Sequence, residues 1–224
     1  MDSPTNEPRP RSNVIKIEEK RDWQATSILK DVRLKFNSEI GFDEVFEGRR
    51  TRRVISDVSL RETRAFIKHV FSPRQLGKGA LKGRVRKTMI SAGALHPIEI
   101  IIVSGPQVYD PIIFSDKHKK FLTIPILDPG GFKSAIENAK NVQPLSSGHL
   151  MLFVGDRKRV ESAYHNSASL LWRDSGAAAQ ACSSSAYAYG YGYCPLGING
   201  DDILASIGPP RSSFMALGMG LFGR

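Results

Sequence analysis

The stretch from about Val160 to Ala188, ending in SLLWRDSGAAAQACSSSAYA, constrains this fold more than any other part of the chain. It is small-sided and apolar, and it reads as one long core helix that its neighbours can approach closely. Such a helix needs a sheet to pack on. The β-branched run Ile98–Val103 and the run Leu150–Val154 read as buried strands, and Phe214–Phe222 as a last one. Ser59-Leu60-Arg61-Glu62 has capping-box spacing, and Leu60, Phe66, Ile67, Val70 and Phe71 follow at helical intervals until Pro73. Shorter helices are expected over Gly41–Gly48, over Lys133–Lys140 after the Asp128-Pro129-Gly130-Gly131 turn, and over Asp201–Ile207. One or two more are expected within Val14–Phe36. Arg74–Lys87, rich in glycine and bases, reads as a mobile loop, and residues 1–12 as a disordered leader before a single domain over 13–224. Helices and strands interleave without a βαβ rhythm, which is an α+β layout.

The 224 residues can bury about 70% of their unfolded surface, so no staples are needed. Apolar runs such as Ile100–Val103 and Met215–Leu221 are far short of the ~20 residues of a membrane span. The first dozen residues are polar and proline-rich, unlike a secretory signal. Cys182 and Cys194 cannot make a disulfide scaffold, and no histidine spacing makes a metal site. A reduced, cytoplasmic protein is expected.

Charge is unevenly spread. Residues 49–87 hold thirteen Lys and Arg against Asp57 and Glu62, a balance of +11 in a chain whose total is +10. Such a window wants an anion: nucleic acid, a phosphorylated cofactor or an acidic surface. Within it, Arg49-Arg50-Thr51-Arg52-Arg53 offers guanidiniums that bind phosphate in bidentate fashion. Small residues at Ser91-Ala92-Gly93-Ala94-Leu95-His96-Pro97 allow backbone to approach a flat ligand. Gly190-Tyr191-Gly192-Tyr193-Cys194-Pro195-Leu196-Gly197 is a second such segment, and the chain closes on Gly223-Arg224.

In order and spacing these segments resemble the FMN-dependent nitroreductase superfamily, from about Asp43 to Arg224. Arg49–Arg53 is similar to its opening Arg-Arg-Ser-x-Arg motif, with threonine for serine. Ser91–Glu99 resembles the Ser-Gly-Gly-Ala-Leu-x-Pro-x-Glu segment of the peptide-modifying branch, which includes azoline oxidases. Asp174-Ser175-Gly176 with Gln180 resembles the family's long helix, Cys194–Gly197 the loop under the isoalloxazine, and Gly223-Arg224 the closing Gly-Arg.

The resemblance implies an α+β nitroreductase-like fold, a central sheet flanked by helices, and a homodimer with FMN at the subunit interface. It implies that Arg49, Arg50, Thr51 and Arg53 hold the phosphate, ribityl chain and pyrimidine edge, and that Arg224 adds a phosphate contact. Ser91, Ala92, Gly93 and Ala94 would line the flavin from the other subunit, with Pro195, Leu196 and Gly197 against the ring. NADH or NADPH would be the electron donor for ping-pong reduction of nitro- or quinone-like acceptors. Azoline dehydrogenation of a peptide, forming thiazoles or oxazoles, is the alternative; it is weakened because the branch's Lys-Tyr pair is represented here by Tyr164 and His165 without a lysine. A nucleic-acid-binding module using residues 49–87 is the rival from another class.

Overall fold

The computed structural model describes residues 7–12, 17–20, 22–79, 82, 84–108, 110–144, 146–208 and 213–224. Its centre is a seven-stranded antiparallel sheet in the order β10(Gly192–Leu196)-β11(Phe214–Gly223)-β8(His149–Asp156)-β5(Ile98–Ser104)-β6(Ile112–Ser115)-β7(Lys120–Thr123)-β2(Ser27–Ile28). The two middle strands are buried on both faces, with side chains alternating between two cores. Ile98, Ile100 and Ile102 of β5 with Met151 and Phe153 of β8 face α2(Leu60–Phe71) and α5(Ala168–Ala188). Ile101, Val103, Leu150, Leu152 and Val154 face α3(Pro129–Asn141) and α6(Asp201–Ser206). This is the α+β sheet flanked by helices that the sequence leads one to expect.

Local signals account for much of it. The α2 capping box forms as read, the Ser59 side chain accepting from Glu62 N and the Glu62 side chain from the Ser59 N–H. Asp128 caps α3, so the expected turn is the start of that helix, with Pro129 in its first turn. Phe42–Gly48 forms the short helix α1.

Four expectations fail. No helix forms among the described residues of Val14–Phe36: isolated apolar anchors, Ile17 and Val32, are buried while most side chains around them stay exposed, so the segment lies extended across the domain. The leader expected over 1–12 is ordered where it is described. Arg9–Pro10 (β1) pair with Tyr164–His165 (β9), and Arg11 N donates to Ala163 O at 2.9 Å. That pairing also splits the single helix expected from Val160 to Ala188 into α4(Arg157–Glu161), β9 and α5, with Asn166 left-handed at φ +52° between β9 and α5. Finally, the basic loop at 74–87 contains a hairpin, β3(Gln75–Leu76) with β4(Val85–Arg86), rooted by Lys87, which is buried.

Candidate functional site

Each arm of the expected site is positioned by α5. Gly48 ends α1, and a Cβ there would collide with the Tyr187 ring and hydroxyl, so glycine lets α1 abut the end of α5 without displacing Tyr187. Arg49 follows and donates from Nη1 to Ser183 Oγ at 3.2 Å. Arg50, Thr51, Arg52 and Arg53 are exposed. The segment is then clamped: Ser146 Oγ donates to Arg53 O and accepts from Ile55 N, both at 3.0 Å, and the Ile55 side chain is fully buried. No carboxylate lies within ion-pair distance of Arg49, Arg50, Arg52 or Arg53 among the described residues. These four charges are uncompensated.

The arginine segment lies against the outer strand of the sheet. A Cβ on Gly192 would be 3.1 Å from Arg52 Cδ, and burial raises the Cys194 thiol while the Arg53 charge only partly opposes the rise. Pro195 costs little on an edge strand, where one row of N–H groups has no ladder partner. Its side chain is exposed, whereas Leu196 is buried in the core. Gly197 is exposed, with no atom within 4 Å of where its Cβ would stand. Arg224 joins the same region by backbone, exchanging hydrogen bonds with Ser56. Its guanidinium is already engaged, 2.6 Å from Glu62 Oε1 and over the Tyr191 ring. The Ser59 hydroxyl, with Arg224 and Tyr191 adding to it, holds Glu62 down at about 2 despite the opposing effect of burial.

Ser91–Ala94 lies elsewhere on α5. Asp174 accepts from Ser91 Oγ and, at 3.2 Å, from Ala92 N, while Ser91 Oγ accepts from His96 N at 2.8 Å. Burial raises the Asp174 pKa and these bonds oppose the rise. Gly93 and Ala94 are left-handed, at φ +58° and +55°. A Cβ on Gly93 would meet both an Arg84 guanidinium nitrogen and the Tyr164 hydroxyl at 2.8 Å, so any larger residue would have to displace both side chains and also adopt a left-handed backbone that favours glycine. Arg84 also donates to Gly93 O. His165, by contrast, is exposed and near Arg11. Asp174 and Ser183 are nine residues apart, about 13 Å along a helix. One chain thus brings Arg49–Arg53 against Gly192–Cys194, on the strand that leads to Gly197, with the Arg224 backbone held at Ser56, and keeps Ser91–Ala94 apart.

Ser183 and the pinning role of Asp174 are not legible in the sequence, because each depends on a contact between distant segments, and Arg84 reaches Gly93 only because the β3–β4 hairpin folds back beside the turn. Glu99, which closes the Ser91–Glu99 motif, sits outside the site: it is buried, accepting from Trp23 Nε1 at 2.6 Å. Cys182 is a fully buried small apolar side chain whose thiol burial pushes far up, as its surroundings in the sequence suggest. Among the described residues no three His, Cys, Asp or Glu group as a metal site, and no helix is long and apolar enough to cross a membrane.

This architecture is the nitroreductase fold. It is similar to a putative nitroreductase from Ralstonia eutropha, at 11% identity over 98% of each chain with a TM-score of 0.64. The Escherichia coli microcin synthetase McbBCD complex, solved with truncated pro-MccB17 bound, aligns at 15% identity over 87% of this chain and 78% of that one, TM-score 0.57. A putative nitroreductase from Exiguobacterium sibiricum in complex with FMN aligns at 13% identity over 85% and 90%, TM-score 0.51. No protein-family model and no curated protein sequence matches the chain.

Proposed function

We propose that this chain is an FMN-dependent oxidoreductase, acting as a homodimer and reducing nitro- or quinone-like acceptors with electrons from NADH or NADPH. The observation that carries the reading is the pair of half-sites on one helix. Four guanidiniums with no carboxylate partner among the described residues lie against the start of β10, the strand that leads to the open Gly197, and a glycine turn pinned by Asp174 lies about 13 Å further along α5. A second copy would bring its turn to the first copy's arginines. Exposed apolar side chains flank both halves, Phe42, Phe46 and Val54 on one side and Trp172 on the other, and suit burial against that copy.

The residues fit FMN. A phosphate would supply the anion that Arg49–Arg53 lack, and the space over Gly197 would admit a flat ring. When bound, FMN supplies the two-electron chemistry, leaving the protein to bind, orient and tune it. Arg49, Arg50, Thr51 and Arg53 would hold the phosphate, ribityl and pyrimidine groups, and Ser91, Ala92, Gly93 and Ala94 of the second copy would cover the ring. Pro195 would offer its side chain, while Leu196, turned inward, would offer backbone alone. The Gly197 N–H would stabilise negative charge developing on the reduced ring. Arg224 would reach a phosphate only by leaving Glu62.

Two measurements test this. A bidentate guanidinium–phosphate pair is worth about 1.5–3 kcal/mol, so Arg49→Ala and Arg53→Ala should each weaken FMN about ten-fold or more in a flavin-fluorescence titration. Unchanged affinity in both would remove the phosphate assignment. On anaerobic mixing of the FMN-loaded protein with excess NADH or NADPH, the flavin absorption should bleach rapidly.

Azoline dehydrogenation is the second reading, favoured by the Arg84 guanidinium near the Tyr164 hydroxyl at Gly93. A cation does stand beside this tyrosine, although the sequence around it has no lysine. It ranks second because a guanidinium stays protonated and cannot take a proton as a lysine amine can. Absence of bleaching, with turnover of an azoline peptide in air, would reverse the order.

A further inference from the structure

The fold divides the basic window between two places. Arg49–Arg53 belongs to the anion-seeking half-site, whereas Arg74, Lys78, Lys82, Arg84 and Arg86 belong to the β3–β4 hairpin region, beside the other half. Arg84 is spent on Gly93 O, and Arg74 donates to His69 O at 2.9 Å. Arg74, Lys78, Lys82 and Arg86 are exposed, and none has a carboxylate in ion-pair distance among the described residues. The sequence has no Asp or Glu between Glu62 and Glu99. Two apolar side chains also stand out into solvent here, Leu76 at 63% exposure on the hairpin and Ile90 at 82% just before the turn.

We propose that the β3–β4 hairpin and Ile90 form a docking surface for an acidic peptide segment, which the surface delivers to the Ser91–Ala94 turn. The proposal rests on reading that turn as part of the flavin site, and it deepens that reading by naming a partner. Cations spaced among exposed apolar side chains match a peptide that carries acidic and apolar residues together. Nucleic acid matches less well. Single strands are held by aromatic platforms as well as charge, and there is no Phe, Tyr or Trp from Ser72 to Val108. The Arg84–Gly93 bond ties the hairpin directly to the turn, so a segment lying on the hairpin is already beside Gly93 and Tyr164.

The test is fluorescence anisotropy of a labelled peptide of about a dozen residues, alternating Glu and Leu, titrated with the full chain. Its controls are the same peptide with Gln for Glu and a thymidine oligonucleotide of similar charge. The Glu peptide should bind at least about ten-fold tighter than the Gln peptide at low salt, and the difference should shrink as salt rises. The triple variant Lys78→Glu, Lys82→Glu, Arg86→Glu should lose about ten-fold or more, with FMN affinity unchanged. If circular dichroism shows that the triple variant is unfolded, Lys78→Gln with Lys82→Gln, which leaves both strands intact, is read in the same titration. Equal binding of the two peptides, tighter binding of the oligonucleotide, or undiminished binding by the folded variant would overturn the assignment. Peptide binding by a chain that takes no FMN would support the surface while removing the flavin reading; FMN binding without peptide binding would do the reverse.

Discussion

Asp116→Asn should cost about 3–5 kcal/mol of stability, because it leaves two buried ammonium groups without their shared counter-ion. Asp116 lies in the turn between β6 and β7, and its Oδ2 accepts from Lys20 at 2.9 Å and also from Lys87. The three side chains are nearly inaccessible. Burial alone would raise the Asp116 pKa, but the two lysines outweigh it and hold the carboxyl well below its ordinary range. Lys87 is pushed down to about 8, by burial first and then by Lys20, and Asp116 only partly resists that. Without the carboxylate, each lysine faces desolvation and the other's charge together. Urea unfolding at neutral pH measures the loss, which should narrow in alkali as Lys87 sheds its proton. Replacing all three together, Lys20→Met, Lys87→Met and Asp116→Leu, should recover most of it, since the charges and not the volume are at fault. A single variant within about 1 kcal/mol of the parent would show that water reaches the cluster and screens it.

The second large effect is in pH. Glu99 is raised from 4.5 to about 7, chiefly by burial, with Asp116 and Asp156 adding to the rise and Lys20 and the Trp23 N–H opposing it. Lys87 and Arg159 face it as well, each carrying charge that interacts with its carboxylate. A folded pKa above the unfolded one means that the native state binds the proton more tightly. The corresponding stability is complete below about pH 4.5 and is lost as pH rises through about 7. At about 1.4 kcal/mol for each pH unit between the two values, the loss is about 3 kcal/mol. Glu99→Gln keeps an oxygen for Trp23 and cannot ionise. It should match the parent near pH 5 and exceed it by up to about 3 kcal/mol near pH 8, in denaturation curves at a series of pH values. Parallel stability profiles for the two proteins across that range would sink the assignment. Differencing against the variant also removes the acid-side contribution of Asp116 and Glu62, whose shifts run the other way.

Both effects arise in one polar cluster beneath the Ser91–Ala94 turn, and the sequence gives no sign of it. Lys20 and Trp23 fall in a stretch whose mixed apolar and charged pattern reads as one or two helices, Lys87 ends an apparent loop, and Glu99 lies among isoleucines as the last residue of a ligand-binding motif. They meet only because the N-terminal segment runs extended across the sheet, with Arg159 bonding Leu95 O and Glu18 O, each at 2.7 Å, alongside. Short-range chemistry was easier to read. The Ser59 box and the β-branched run of β5 each specify their own backbone within a few residues, and each formed where expected, whereas the turn expected at Asp128–Gly131 proved to be the cap and first turn of α3.

The candidate site divides along the same line. The chemical character of the segments was legible: a run of guanidiniums, and small residues that let backbone be approached closely. The sequence alone therefore determined the α+β class, the buried central strands and the chemical character of each site segment, because these depend on side-chain period, steric size and charge carried within the segment. The tertiary structure decided which segments share a neighbourhood. It put Arg52 against Gly192, Arg84 and Tyr164 around Gly93, and Asp174 under Ser91, while turning Arg224 toward Glu62 and Glu99 into the core. Apart from Arg84 with Gly93, nine residues on, those pairings join residues far apart in the chain. They are set by how α5, the sheet edge and the N-terminal segment pack, and no local pattern encodes that packing.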